Sequence, residues 1–401
     1  MKIKIPKDVE ELIEEIYNNG YEAFIVGGCV RDSVIGLVPN DYDITTNANP
    51  NEIIDIFKNY KVIETGIKHG TVTIIKNKSE YEITTYRIDG EYKDNRRPDK
   101  VEFTSNIKKD LERRDFTINA MAYNSKVGLV DEFEGIRDIN KKLIKTVGSP
   151  EKRFKEDGLR IIRAVRFSAK LAFEIEKNTM EAIYKNINLI SSVSYERIQE
   201  EINKILLSDN PEKIYILYDA GIFDVLNLDD IKIEENKLNK IKVSHKDLIL
   251  RLSIFAYLMG DTYKGKQFLK LLKYSNNIRI QCEKIIENIE NIDLDLKKSK
   301  KDVKKYLNKF GKINFMYILK INEILNNEDN IKIYEIIEEV EKNNECYELK
   351  SLSVNGNDLK ALGYKGKDIG IKLNALLELV IEDSELNDKL KLIEMLNDTP
   401  I

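Results

Sequence analysis

The chain has 401 residues, 42% of them hydrophobic and 33% charged, with a formal net charge of -4. That length exceeds one ordinary core and points to roughly two to four domains, and the composition excludes a disordered chain. The charge excludes a uniformly basic nucleic-acid coat, so any contact with a polyanion must use local basic patches.

Cys29, Cys282 and Cys346 are far apart and no CxxC pair exists, which argues against a thiolate zinc site or a disulfide framework and for a reduced, cytoplasmic setting. The N-terminus MKIKIPKDVEELIEEIY is charged and helical in period, unlike a signal peptide. No run approaches about 18 uninterrupted apolar residues, so no membrane span is expected.

In chain order, Pro6-Lys7-Asp8 opens a helix predicted to run through Tyr17. Ala23 to Val26 reads as a buried strand ending at Gly27-Gly28, and a helix follows from about Val30. Asp43 to Thr46 marks another strand, and Pro50 to Lys58 a helix. Thr71 to Ile75 and Tyr81 to Thr85 are β-branched runs separated by Lys76 to Glu80, a hairpin pattern. After Pro150 nearly every segment has the helical period, as in 158–169, 197–207, 248–259 and 331–341, and only Pro211 and Pro400 remain. The expectation is an α+β chain: a small mixed sheet with helices over residues 1–150, then a helical array with boundaries near Asn210 and Leu349.

Chemistry concentrates in the first part. A glycine pair after a buried strand lets backbone approach a ligand, and the following helix offers free N–H groups and a positive dipole end to phosphate. Arg31, in the first turn of that helix, is unfavourable for the dipole, and phosphate is a reason to tolerate it. Asp41 and Asp43 have strand spacing and are expected to point the same way. Two carboxylates on one face bind hard cations such as Mg²⁺, which phosphoryl-transfer enzymes use as a clamp. Either feature alone is commonplace, since such glycines usually make turns and such aspartates usually cap or face solvent. Separated by one short helix, they reinforce each other.

GGCVRDSVIGLVPNDYDITT resembles the first motif of the class II tRNA nucleotidyltransferases and bacterial poly(A) polymerases. DGEYKDNRRPDKVEF, from Asp89 to Phe103, is similar to that family's flexible loop, and RRDFTINAMAY, from Arg113 to Tyr123, to its second motif. EDGLRIIRAVRF, from Glu156 to Phe167, resembles the nucleotide-recognition helix, and SYERIQEEINKIL, from Ser194 to Leu206, the neck motif after it. SVNGNDLKALGYKGKDIGIKL is similar to the tail of Gram-positive-type CCA-adding enzymes, with Lys365-Gly366-Lys367 where a Pro-Gly-Pro-like turn is expected.

The resemblance implies a nucleotidyltransferase head over 1–150, a helical neck over 151–210, a body over 211–348 and a tRNA-binding tail over 349–401. It implies addition of C, C and A to the 3′ end of tRNA from CTP and ATP, with pyrophosphate released and Mg²⁺ as cofactor. The implied metal ligands and catalytic residues are Asp41 and Asp43. The implied nucleotide-binding residues are Gly28, Arg31, Arg114, Asp157, Arg160, Arg163 and Arg166. Asp157 and Arg160 would read the Watson–Crick edges of cytosine and adenine, while Arg163 and Arg166 would hold the base and triphosphate side. The partners implied are the acceptor arm and 3′ end of tRNA, with neither DNA nor a membrane.

The residues themselves leave blander readings open. Arg113 and Arg114 precede an apolar helical face, with Asp110 and Glu112 as salt-bridge partners for Arg114 and Arg113 as the more structural of the two. Asp157, Arg160, Arg163 and Arg166 fall at intervals of three, a stripe that on a helix is usually solvated and salt-bridged. Glu82 is either a third carboxylate or an ordinary strand residue. Lys297-Lys298-Ser299-Lys300-Lys301 is either a phosphate contact or a solvated helix end. His69 reads as a loop residue, and two histidines with no His-Asp pair argue against a fused phosphohydrolase domain. An A-adding enzyme, a poly(A) polymerase and a non-catalytic RNA-binding relative are the alternatives.

Overall fold

The computed structural model describes residues 2–90, 101–290 and 299–398. Residues 91–100 of the predicted flexible loop, with Arg97, and Lys297 and Lys298 of the lysine run lie outside the described residues. The chain divides into two compact units, residues 1–231 and 232–401. The first combines a mixed sheet with helices and the second is helical, the α+β class that the sequence predicts.

Helix α1 (Lys7–Asn18) follows Pro6, carries Asp8 and Glu10 in its first turn and buries Val9, Leu12, Ile13 and Ile16 on one face. The buried strand β1 (Ala23–Val26) runs into Gly27 and helix α2 (Gly28–Val34), which starts two residues earlier than the sequence suggests. After β2 (Ile44–Thr46), helix α3 (Pro50–Ile56) opens with a complete capping box between Asn49 and Glu52 and with Pro50 in its first turn. Strands β3 (Lys61–Ile63), β4 (Thr71–Lys76) and β5 (Ser79–Thr85) follow. The β4–β5 hairpin turns on Asn77 and Lys78 alone, both left-handed at φ 50° and 67°. The strands thus run further toward the turn than the predicted five-residue connection allows, because two positive-φ residues match the twist of a tight hairpin.

A short pair, β6 (Arg87–Asp89) and β7 (Val101–Phe103), stands apart from the main sheet, and α4 (Ile107–Glu112) leads into the RRDFTINA segment. That segment is not the predicted helix. Thr117–Asn119 make a single 3₁₀ turn, and β8 (Ala122–Asn124) and β9 (Gly128–Val130) follow. The backbone groups find partners outside a helix: Thr117 N–H donates to the Lys145 carbonyl, and Met121 C=O accepts from Gly27 N–H. The main sheet has the order β3-β4-β5-β2-β1-β8-β9, antiparallel except for the parallel neighbours β2 and β5. Phe24, Val26, Tyr86, Leu111, Ala120, Ala122 and Val147 form the core beneath β1 and β8.

Helix α5 (Gly135–Asn140) and β10 (Leu143–Ile144) lead to α6 (Pro150–Glu156) and α7 (Leu159–Leu171). β11 (Glu174–Ile175) then pairs with β10 in parallel, stitching the sheet region to the helices. Helices α8 (Lys177–Asn186) and α9 (Tyr195–Leu206) pack on α6 and α7 respectively. No helix among the described residues is long and apolar enough to cross a membrane.

In the second unit, the segment from Cys346 to Leu396 has its own core of Leu352, Val354, Leu359, Leu376, Leu377, Val380, Ile381 and Leu392. It is tied to the helix Lys300–Phe310 by Lys304, whose ammonium is buried. Lys304 Nζ donates to Ser384 Oγ at 2.8 Å, to the Val380 carbonyl at 3.3 Å and to Glu345 at 3.4 Å. Removing Glu345 leaves the buried ammonium without a counter-charge, whereas an apolar chain in place of Lys304 leaves Glu345 paired with Lys300 at 2.7 Å, so the first loss costs far more. Glu345→Ala should therefore lower unfolding stability by about 3 kcal/mol and Lys304→Met by under about 1 kcal/mol, read as urea midpoints. Equal losses would show that the ammonium is effectively solvated.

Candidate active site

Asp43 immediately precedes β2, and its carbonyl accepts from Val26 N–H at 3.0 Å. Asp41 lies two residues earlier, so the pair sits on the lead-in to the strand rather than within it, and both residues stay open to solvent while protein packs around the Asp43 carboxyl. Enclosure by neighbouring atoms and the adjacent negative charge of Asp41 push the Asp43 carboxyl up to about 6, against the pull of the Arg114 guanidinium. Glu82 adds to the same repulsion. The parallel register Ile44↔Ile83 puts Glu82 level with Asp43 on the neighbouring strand. Among the described residues no group of three or more carboxylate, histidine or cysteine ligands could hold a metal by itself. Two crowded carboxylates suit a magnesium-type ion, which keeps waters and takes its remaining ligands from substrate phosphate.

The glycine that the site requires is Gly27. Its φ is +81°, and a Cβ there would stand 2.9 Å from Arg114 Nη1. Gly28, the sequence-predicted residue, begins α2, and the nearest atom to a Cβ there is Arg31 Nη2 at 3.6 Å. Arg114 is half-buried and reaches Asp110 only at 3.4 Å, while its buried Nε has no hydrogen-bond partner. Arg113 makes the tighter contacts with Asp110, at 3.0 and 2.7 Å, in keeping with a structural role. These two arginines hold the buried Asp110 carboxyl below the usual range although burial pushes it up.

The other predicted arginines have internal partners. Arg31 is 3% exposed, with Nε 2.8 Å from Asp32 and Nη1 donating to Asn119 Oδ1. Arg163 donates to Asp115 Oδ2, with Nε at 2.9 Å. Asp115 also accepts from Asn119 Nδ2 and Phe116 N–H. Burial raises the Asp115 carboxyl, but the charge of Arg163 and these hydrogen bonds outweigh it and hold the group well below the ordinary range. Arg166 pairs with the buried Glu201 of α9. Arg31, Arg163 and Arg166 all lie against one ring, Phe167, at 5.1, 5.4 and 3.9 Å, and that ring meets Phe116 edge-on.

Asp157 and Arg160 do not share one helix face, because the recognition helix is broken. α6 ends at Glu156, Asp157 is extended at φ -149° and ψ 108°, and α7 begins at Leu159. Gly158, next to the break, allows a close backbone approach: a Cβ there would come within 2.6 Å of the Leu189 carbonyl. Nor do the two residues pair with each other. Arg160 donates to Glu156 at 2.6 Å and to the carbonyls of Arg153 and Arg113 at 3.2 and 3.0 Å. Asp157 accepts from Leu159 N–H and from Arg197 of α9. An open basic cleft of about 920 Å³ borders Arg113 and Glu156, with Lys109, Lys152, Arg153 and Lys155 on its walls; Asp41 and Asp43 do not line it.

Residues 23–145 match the poly A polymerase head domain, 172–229 the RNA- and SrmB-binding region of polymerase A, and 243–396 the tRNA nucleotidyltransferase domain 2. The CCA-adding enzyme of Ligilactobacillus salivarius is 36% identical over 396 residues, spanning 96% of this chain and 94% of that one. That of Pediococcus pentosaceus is 34% identical over 408 residues, spanning 98% and 97%. The chain belongs to the CCA-adding enzyme family. The crystal structure of the Bacillus stearothermophilus CCA-adding enzyme in complex with CTP aligns at a TM-score of 0.83 with 27% identity over 98% of both chains. CCA-adding enzymes are nucleotidyltransferases, a generally metal-dependent class.

Within this member of the CCA-adding family, the sequence reading took Gly28 rather than Gly27 from the glycine pair and passed over Asp115, Asn119, Phe167, Arg197 and Glu201. Glu201 had a signal, since it interrupts the apolar stripe of Ile198, Ile202 and Ile205 on α9. Gly27→Ala should strain the backbone by about 1–2 kcal/mol and displace Arg114. We expect kcat/KM for CTP to fall by about tenfold or more with helical circular dichroism retained, and Gly28→Ala to do less. Equal effects at the two glycines would remove the special place of Gly27.

Proposed function

We propose that this chain adds C, C and A to the 3′ end of tRNA from CTP and ATP, releasing pyrophosphate, as its family relatives are named for doing. The observation that carries the assignment to particular residues is the crowding of Asp41 against Asp43, beside Arg114 and the start of α2. Asp41 and Asp43 would hold Mg²⁺, which when bound lowers the charge barrier between the RNA 3′-hydroxyl and the nucleotide α-phosphate. Arg114, with its unpartnered Nε, is assigned to the triphosphate, alongside the N–H groups that open α2 at Gly28. Arg31, Arg163 and Arg166 belong to the nucleotide pocket as its frame, since Asp32, Asn119, Asp115 and Glu201 engage their guanidiniums.

Asp157 and Arg160 are assigned to the base edge. A carboxylate accepts from the amino group that cytosine and adenine share and meets a carbonyl in uracil and guanine. In this reading the head and neck carry the chemistry, and the helical body and tail clamp the acceptor arm by shape and phosphate contact, in the cytoplasm.

Incubation with tRNA lacking its last three residues, given CTP alone, ATP alone or both, should yield CC, no extension and CCA respectively. Extension by A alone, or by a long A tract, would overturn the reading in favour of an A-adding enzyme or a poly(A) polymerase. Asp41→Ala and Asp43→Ala should each abolish extension with tRNA binding nearly intact, and near-normal turnover by either would remove the metal assignment. Affinity for tRNA should fall with salt at about 0.7–0.9 in log–log slope per phosphate neutralised, and a flat response would exclude backbone clamping.

A further inference from the structure

Asp157 is the only sequence-predicted base reader that lies outside a helix, so neither helical geometry nor a stack of neighbouring turns aims its carboxylate. What aims it lies on another element. Arg197, in the third position after the N-cap of α9 and forty residues away, donates Nη2 to Asp157 Oδ2 at 2.7 Å and Nη1 to Oδ1 at 3.3 Å. Oδ1 also accepts from Leu159 N–H at 3.0 Å. Both side chains are mostly enclosed, Arg197 at 25% and Asp157 at 16% exposure.

We propose that Arg197 is a specificity-determining positioning residue, which fixes the Asp157 carboxylate so that one acceptor direction remains for the incoming base. The proposal rests on the reading of Asp157 as a base reader. A carboxylate offers about four lone-pair directions, and the three contacts above use three of them. A single remaining acceptor matches a single amino hydrogen, which cytosine and adenine supply and a uracil or guanine carbonyl does not. The two-pronged grip also prevents rotation of the carboxylate about its Cβ–Cγ bond. Without it, the freed oxygens could turn to meet the ring N–H that uracil and guanine carry, and the distinction would blur. A strap that merely joins α9 to the α6–α7 break would need no such alignment, and its loss would affect all nucleotides alike.

The test uses the full-length protein with tRNA lacking its terminal residues, and measures kcat/KM for CTP, ATP, UTP and GTP. The variants are Asp157→Ala, Arg197→Met, Arg197→Lys and the double variant Asp157→Ala with Arg197→Met. Arg197→Met should lower the preference for CTP over UTP, and for ATP over GTP, by about tenfold or more. The double variant should discriminate no worse than Asp157→Ala, because Arg197 acts through that carboxylate. Arg197→Lys keeps the charge without the planar fork, so its preference should fall between those of wild type and Arg197→Met. If Arg197→Met fails to fold, the lysine variant decides by the same ratios, and an unchanged preference there overturns the proposal. A uniform loss with all four nucleotides in Arg197→Met, or an additive effect in the double variant, also overturns it. If Asp157→Ala leaves the ratios unchanged, the base-reader assignment itself falls. If Asp157→Ala relaxes them and Arg197→Met does not, only the proposal falls.

Discussion

The pair formed by buried Asp115 with half-buried Arg163 is the joint on which the active region depends. Burial alone would drive the Asp115 carboxyl toward its neutral form, and two arginines, an amide and a backbone N–H reverse that outcome. From this joint the contacts run both ways. Toward the sheet, Asn119 passes from Asp115 to Arg31, and Arg31 sits in the helix that begins beside Gly27. Toward the helices, Arg163 fixes α7, whose first turns carry Arg160 and whose far side meets Glu201 of α9 through Arg166. The start of α2, the turn at 115–119 and helices α7 and α9 therefore share one frame of charged and hydrogen-bonded side chains, and Asp43 lies beside it through its backbone bond to Val26. Arg31, Asp115, Asn119 and Glu201 are buried members of this frame, and burial makes any unmatched polar group among them costly.

Much of this was legible in the sequence. The glycine pair, the Asp-x-Asp spacing, the hairpin and the change to helical period each follow from local chemistry, and the ordered motifs resembled one family. The misreadings have physical causes. Residues 115–123 have apolar spacing that suits a helix, but their backbone groups are claimed by Lys145 and Gly27. Asp157 keeps helical spacing with Arg160 and yet lies in an extended residue, because spacing does not register a close backbone crossing at Gly158. Arg31 was visible as a cation at an unfavourable helix end, but its counter-charge is the next residue, Asp32, and its other partner lies 88 positions away.

The helical second unit was legible as helix and little more. Lys304 belongs to a lysine-rich helix in which Lys300, Lys301 and Lys305 form ion pairs nearer the surface. Nothing in its local sequence separates the one buried lysine from its neighbours, since its partners Glu345, Val380 and Ser384 come from 41 to 80 residues further along. The predicted boundary near Leu349 falls between these partners, so a fragment cut there would retain the ammonium and Glu345 while losing the carbonyl and hydroxyl from the tail.

The close approach at Gly158 has a consequence for how such a protein can change. The path of the chain through the α6–α7 break is held by the close approach of Gly158 to Leu189, by Asp157, which accepts from Leu159 N–H, and by Arg160, which reaches the Arg153 and Arg113 carbonyls. Arg197 meets the break through the Asp157 carboxylate. A change of side chain at Arg197 leaves those backbone contacts in place, whereas any side chain at Gly158 would collide with the Leu189 carbonyl, so evolution of nucleotide preference has more room on α9 than at the break itself.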